Sequence, residues 1–260
     1  MAAIHILALG IALFLAAPQR PQVLVFFPEP GARPRDYSAL MAAYPGFRFV
    51  YVPSPASRKN WSEAGKLSAM DQLAFEKKAV ADWVRAALAA LKRQGINEAG
   101  AIGHGPGGLA AAAACQLSPA FRACLDIDGE TLGSPFLLDA AFDQPFLWLK
   151  PLTDPVAPPT SAELKERGMT RGEYEEIMSR SGTAAMTRAR RISTIVTLYA
   201  PDAGHRSILT ERAGTRSFVL ATAVIRDFFD EHLRGHESAL FSGFGTGYPE
   251  IVFQQFFGRK

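Results

Sequence analysis

Three positions spaced along the chain carry residue types suited to acyl-transfer chemistry, and one group that such chemistry requires is missing. The stretch Gly103-His104-Gly105-Pro106-Gly107-Gly108 follows an apolar run and leads into an alanine-rich one. Strand, tight glycine turn and helix in that order frame the motif G-x-S-x-G, in which a serine at the tip of the turn attacks and small neighbours let strand and helix pack closely. Gly103 and Gly107 are in place, but Gly105 stands at the serine position and Pro106 follows it. Downstream come two candidate acids, Asp128 and Asp154, and then His205. In this chemistry the histidine takes the nucleophile's proton, and the carboxylate orients the imidazole and stabilises its charged form. A base and an acid are therefore available, with no hydroxyl for them to activate.

His205 lies in Pro201-Asp202-Ala203-Gly204-His205-Arg206-Ser207, just past the sixth apolar run, while Asp128 follows the fourth and Asp154 the fifth. Either aspartate satisfies the order nucleophile, acid, histidine. Asp126 shares a face with Asp128 but lies deeper in its strand, and reads as a structural carboxylate. His5, His104, His205, His232 and His236 fall at no usual zinc spacing, so no metal is expected, and no cofactor either. With 28 basic and 25 acidic residues and a net charge of +3, the chain has no electrostatic footprint for nucleic acid. Its one basic cluster, Arg188-Ala189-Arg190-Arg191, reads as a solvated helix end.

These side chains need a scaffold to bring them together. At 260 residues, 48% hydrophobic and 20% charged, the chain is long enough to bury one sizeable core. Apolar runs rich in β-branched and aromatic residues at 22–27, 47–52, 99–102, 122–128, 145–149 and 195–199 predict six strands. Helical spacing predicts helices over 36–43, with Asp36 as N-cap, and over 68–93, 109–117 and 217–233. A polar helical insertion, 161–190, separates the last two strands and would cover the top of the sheet. The tail carries Tyr248-Pro249-Glu250 and the apolar Ile251-Val252-Phe253, which predict docking onto the core. Strands that alternate with helices form a parallel sheet covered on both faces, with ligands at the carboxyl ends of the strands. The loops at 28–34, 104–108, 128–133, 150–159 and 200–207 are then the ones that matter.

Residues 1–20 are apolar from Ile4 to Ala17 and end in small residues before Pro18, the pattern of a secretory signal. A secreted or periplasmic protein is expected from it, and a cytoplasmic one without it. Residues 21–260 then form one domain, with the insertion at about 155–191. The apolar run is shorter than the about 20 residues that a membrane-spanning helix needs. Cys115 and Cys124, the only cysteines, fall on the helix after the glycine turn and in the following strand, and are expected to be buried free thiols.

Several segments together resemble the bacterial form of the platelet-activating-factor acetylhydrolase-like branch of the α/β-hydrolases. They are Gly103 to Gly108, Phe121-Arg122-Ala123-Cys124-Leu125-Asp126-Ile127-Asp128-Gly129, Gly168-Met169-Thr170-Arg171, Gly204-His205-Arg206-Ser207, Phe228 to Gly235 and Tyr248-Pro249-Glu250. The likeness spans about residues 22–253. It implies an α/β-hydrolase fold: a mostly parallel sheet of about six strands, helices on both faces and a helical cap insertion. It implies carboxylester chemistry on a small ester or lipid-like ligand, and it favours Asp128 over Asp154 as the acid. It also implies an oxyanion hole built from two backbone N–H groups, at the positions of Pro106 and of Pro30 in Phe27-Pro28-Glu29-Pro30-Gly31. Proline has no N–H to give. One missing donor costs about 10²–10³ in rate, and a missing nucleophile on the order of 10⁶. The expectation is a hydrolase-like protein with impaired catalysis that serves as a binding module and keeps an Asp128–His205 pair. The alternative is a weak carboxylester hydrolase in which that pair activates water. Gly105 is expected at φ > 0, which glycine adopts without strain, and Pro106 at the first position of the next helix, where a fixed φ suits it.

Overall fold

Along the first strand, β1 (Gln22–Phe27), the side chains alternate between two cores, with Val23, Val25 and Phe27 in one and Leu24 and Phe26 in the other. A strand buried on both faces belongs inside a parallel sheet with helices above and below it. The computed structural model of the protein describes residues 22–129, 142–151, 158–179, 193–242 and 247–256. In it β1 lies between β2 (Phe47–Tyr51) and β3 (Ala99–His104), followed by β4 (Phe121–Ile127), β5 (Phe146–Pro151), β6 (Ser193–Leu198) and β7 (Ile251–Phe256). The order across the sheet is β2-β1-β3-β4-β5-β6-β7, parallel through β6. All six strands expected from the sequence are present. The docked tail supplies a seventh, which runs antiparallel along β6 with Ile251 opposite Leu198.

One face is covered by α3 (Ala69–Arg93) and α4 (Pro106–Leu117). The alanines of α4, Ala110 to Ala114, are all buried, so the helix lies directly on the sheet where larger side chains would hold it off. Trp83 of α3 fills the remaining space and donates its indole N–H to the Val52 carbonyl at 2.7 Å. The other face is covered by α1 (Ser38–Ala42) and α7 (Arg216–Arg234), which bury Leu40, Leu220, Val224 and Phe228. Ser68 caps α3 by accepting the Asp71 N–H at 3.3 Å. Thr215 caps α7, and Gly235 ends it at φ 70°.

A further short helix, α2 (Arg58–Ala64), follows β2, and the insertion between β5 and β6 contains α5 (Ser161–Glu166) and α6 (Arg171–Ser179). These two helices share a small core of Leu164, Met169 and Tyr174, and Arg167 ties them to the start of α3 by donating to Gln72 at 3.1 Å. Among the described residues the last helix before β7 is α8 (Ala239–Ser242). Among the described residues no helix is long and apolar enough to cross a membrane.

Two expectations are corrected. Asp36 is not an N-cap of α1: it lies inside a 3₁₀ turn, Pro34–Tyr37, and its carboxylate accepts the Arg33 N–H at 2.8 Å. Pro34 starts the turn earlier than the apolar spacing suggests. Cys115 and Cys124 are not free thiols but a disulfide, with their Cα atoms 6.0 Å apart. The helix α4 folds back along β4, so its last turn comes over the middle of that strand and places the two sulfurs face to face. The signal-like segment at 1–20, Asp154 and the basic cluster at 188–191 lie outside the described residues.

Candidate functional site

Because β1, β3, β4 and β6 are parallel, their carboxyl ends share one edge of the sheet, and the loops that leave them meet there. The turn between β3 and α4 is the tightest of these. A Cβ on Gly103 would overlap the Gly107 carbonyl, one on Gly107 the Phe27 carbonyl, and one on Gly108 the Asp126 carboxylate. Those glycines are what lets strand and helix approach so closely. Gly105 at the tip has φ 56° and ψ −129°, and donates its N–H to the Ile127 carbonyl at 2.9 Å. Pro106 is the first residue of α4, where no hydrogen bond is lost by its missing N–H. Asp126 is buried beneath the turn and accepts the Gly129 N–H at 2.8 Å, the structural role expected of it.

Asp128, one step past β4, has φ 51° and is the one non-glycine residue with positive φ among those described. Such a conformation costs on the order of 1–3 kcal/mol and persists where surrounding contacts impose it. Here it directs the carboxylate to His205, whose Nδ1 lies 2.7 Å from Asp128 Oδ2. The sequence-derived pair is therefore assembled, from loops 77 residues apart. Pro30 is buried in the loop after β1, beside the same site.

Two residues that sequence reasoning did not assign complete the arrangement. Glu29, next to Pro30, brings Oε2 to 3.7 Å from His205 Nε2, on the side of the ring where a seryl hydroxyl would approach. His205 is thus flanked by a carboxylate at each nitrogen. The hydrogen bond to Asp128, and after it the contact with the Glu29 carboxylate, raises its pKa from 6.5 to about 9 against the effect of burial. The same contact with His205 lowers the Glu29 carboxyl below its ordinary value. A charged residue between two prolines gave no periodic signal, and only its place in the loop after the first strand would have drawn attention to it.

His104 is the second. Its ring is fully buried, stacks on that of His205 at 4.3 Å between centroids, and holds the His205 carbonyl from Nε2 at 2.6 Å. A carbonyl only accepts, so Nε2 carries the proton and Nδ1 is left to accept from the Tyr37 hydroxyl at 2.9 Å. Tyr37 in turn accepts the Glu29 N–H at 3.1 Å. Burial, with the nearby positive His205, pushes the His104 pKa down to about 4. This chain of bonds fixes the backbone of both loops that present charged groups. Glu29, His104 and His205 offer ligand atoms within 4.8 Å of one another, the spacing of a metal site. Both nitrogens of His104 are already engaged, however, so a metal there would have to displace one of these hydrogen bonds.

Above Gly105 the space is narrow. A Cβ built there would lie 3.1 Å from His205 Cε1, 3.5 Å from its Nε2 and 3.8 Å from Glu29 Cγ. A hydroxyl one bond further out would reach Nε2, but only after the imidazole shifted by a few tenths of an ångström. Beside this point opens a cleft of about 850 Å³, lined by Glu29, Tyr37, His205, Leu209 and several arginines.

The two histidines titrate in opposite directions, which gives stability a pH optimum. His205, with its folded pKa raised from 6.5 to about 9, contributes stability that is complete below pH 6.5 and lost as pH rises through 9. His104, lowered from 6.5 to about 4, contributes stability present above pH 6.5 and lost as pH falls through 4, and His232 behaves likewise. Thermal melts from pH 4 to 10 are expected to peak near pH 6.5, with the alkaline decline reduced in His205→Gln.

No protein-family model matches the sequence, and no curated protein matches it either. Among solved structures, a ferulic acid esterase from Streptomyces cinnamoneus is similar, with a TM-score of 0.63 over 92% of this chain and 75% of that one, at 20% sequence identity. The likeness establishes the α/β-hydrolase fold, with a mostly parallel sheet of seven strands here. At this identity it speaks for the fold alone, and a fold hosts many chemistries.

Proposed function

We propose that the protein is a non-catalytic member of the α/β-hydrolase superfamily, of the platelet-activating-factor acetylhydrolase-like branch, that acts as a binding module. The turn at residues 103–108 is then a nucleophile elbow that has lost its serine. One observation carries this reading: at the tip stands Gly105, and the face of His205 that would serve a hydroxyl is met by the Glu29 carboxylate. An imidazole already protonated at neutral pH has no lone pair with which to take a proton, and Pro106 and Pro30 have no N–H for an oxyanion. The ligand is of the small ester or lipid-like kind. The disulfide supports export through the signal-like segment, because such bonds persist in oxidising compartments.

Incubation with short-chain p-nitrophenyl esters and a fluorophosphonate probe tests the reading. No labelling is expected, with turnover no higher than in His205→Ala. Covalent labelling, or turnover that disappears in His205→Ala, would overturn it.

The Asp128–His205 contact at 2.7 Å favours a second reading, weak hydrolysis by water that the pair activates. It requires neutral His205. Any such activity would be insensitive to the probe and would climb as pH passes about 9.

A further inference from the structure

We propose that the cleft beside His205 binds a small organic anion through a phosphate or carboxylate group, with Arg58 as its principal contact. Four arginines line the cleft, Arg33, Arg35, Arg58 and Arg206, against three carboxylates, Glu29, Asp36 and Glu211. Those carboxylates have partners. Glu29 faces His205, and Glu211 holds Arg206 at 2.7 Å. Asp36 is shared between Arg33 and Arg35 at 3.9 Å each, too far for a direct hydrogen bond to either. Arg58 makes no hydrogen bond or ion pair with the described residues, and its guanidinium, after the contact with His205, also helps to lower the Glu29 carboxyl.

The loop after β1 is shaped around this arginine. Gly31 has φ 83°, and a Cβ there would lie 3.1 Å from Arg58 Cβ and 3.5 Å from its Cδ, so the glycine lets the arginine stem run along the cleft wall. With His205 as an imidazolium the lining carries two positive charges in excess, and one remains when Asp128, behind the ring, is included. In a concave site such an excess concentrates anions. Guanidinium groups match the paired oxygens of carboxylate and phosphate, and a volume of about 850 Å³ suits a small molecule. The proposal rests on the protein being a binding module, but not on its catalytic silence.

Binding is measured on the full chain by calorimetry and thermal shift with inorganic phosphate, citrate and glycerol 3-phosphate, against chloride at matched ionic strength. Vesicles containing phosphatidic acid form a separate arm, which tells a lipid headgroup from a free anion. Saturable binding in the wild type, weakened roughly tenfold in Arg58→Gln with the unliganded melting temperature unchanged, is the expected result. Arg122→Gln, which alters only an exposed pair with Glu98 at the amino ends of β3 and β4, the edge of the sheet opposite the cleft, should bind as the wild type does. Absence of saturable binding in every arm, or equal binding by Arg58→Gln, would overturn the proposal. Ester turnover by the wild type would instead overturn the non-catalytic reading and leave the anion site standing.

Discussion

Gly105→Ser is expected to lower stability by about 1–3 kcal/mol and to leave the protein unreactive toward a fluorophosphonate. The stability loss has two sources, the positive φ of 56° that serine resists and the contact of its Cβ with the His205 ring at 3.1 Å. The chemical silence has a different one: Asp128 first and Glu29 second keep the imidazole charged, so the new hydroxyl finds no free lone pair at Nε2. Adding Glu29→Ala removes that carboxylate, lowers the His205 pKa towards its ordinary value and gives slow covalent labelling. Efficient ester turnover stays absent in the double variant, because Pro106 and Pro30 still offer no N–H, and each missing donor costs about 10²–10³ in rate. Turnover at hydrolase rates from Gly105→Ser alone would show that the oxyanion positions are wrongly placed. Chemical denaturation and intact-mass measurement after exposure to the probe read both effects.

Removal of the disulfide is expected to cost about 3 kcal/mol. The bond closes a short loop, with nine residues of separation, and ties α4 to the strand beneath it, so its loss frees the unfolded chain more than it disturbs the native packing. Cys115 and Cys124 are both buried, so the paired variant Cys115→Ala/Cys124→Ala adds a small cavity to the entropic loss. Urea denaturation of that variant against the oxidised protein measures the difference. Two free thiols per chain, counted in the unreduced protein under denaturing conditions, would mean that the bond is not formed.

The fold was legible in the sequence because the strands of a doubly covered sheet are short apolar runs rich in β-branched and aromatic residues. The alanines at 110–114 could only mean a helix pressed onto a sheet. His205 and a carboxylate partner were legible as well, since strand order sends Asp128, Asp154 and His205 to the same edge, and the family resemblance favoured Asp128. What stayed hidden depends on distances that no spacing encodes. Glu29 meets His205 across 176 residues by the convergence of two loops, and the cysteines meet because α4 turns back over β4. His104 entered the sequence reading only as one of five histidines at no usual zinc spacing. Only its burial and the two acceptor and donor atoms around its ring give it the task of holding the His205 loop.

The central claim is that His205 is held as an imidazolium between Asp128 and Glu29, with no hydroxyl to serve. Titration of its ring nitrogens by ¹⁵N NMR in the wild-type protein tests this most directly. A pKa near 9, moving down in Glu29→Gln, is the predicted result. A pKa at or below 6.5 in the wild type, unmoved by Glu29→Gln, would show a free base at neutral pH and contradict the account.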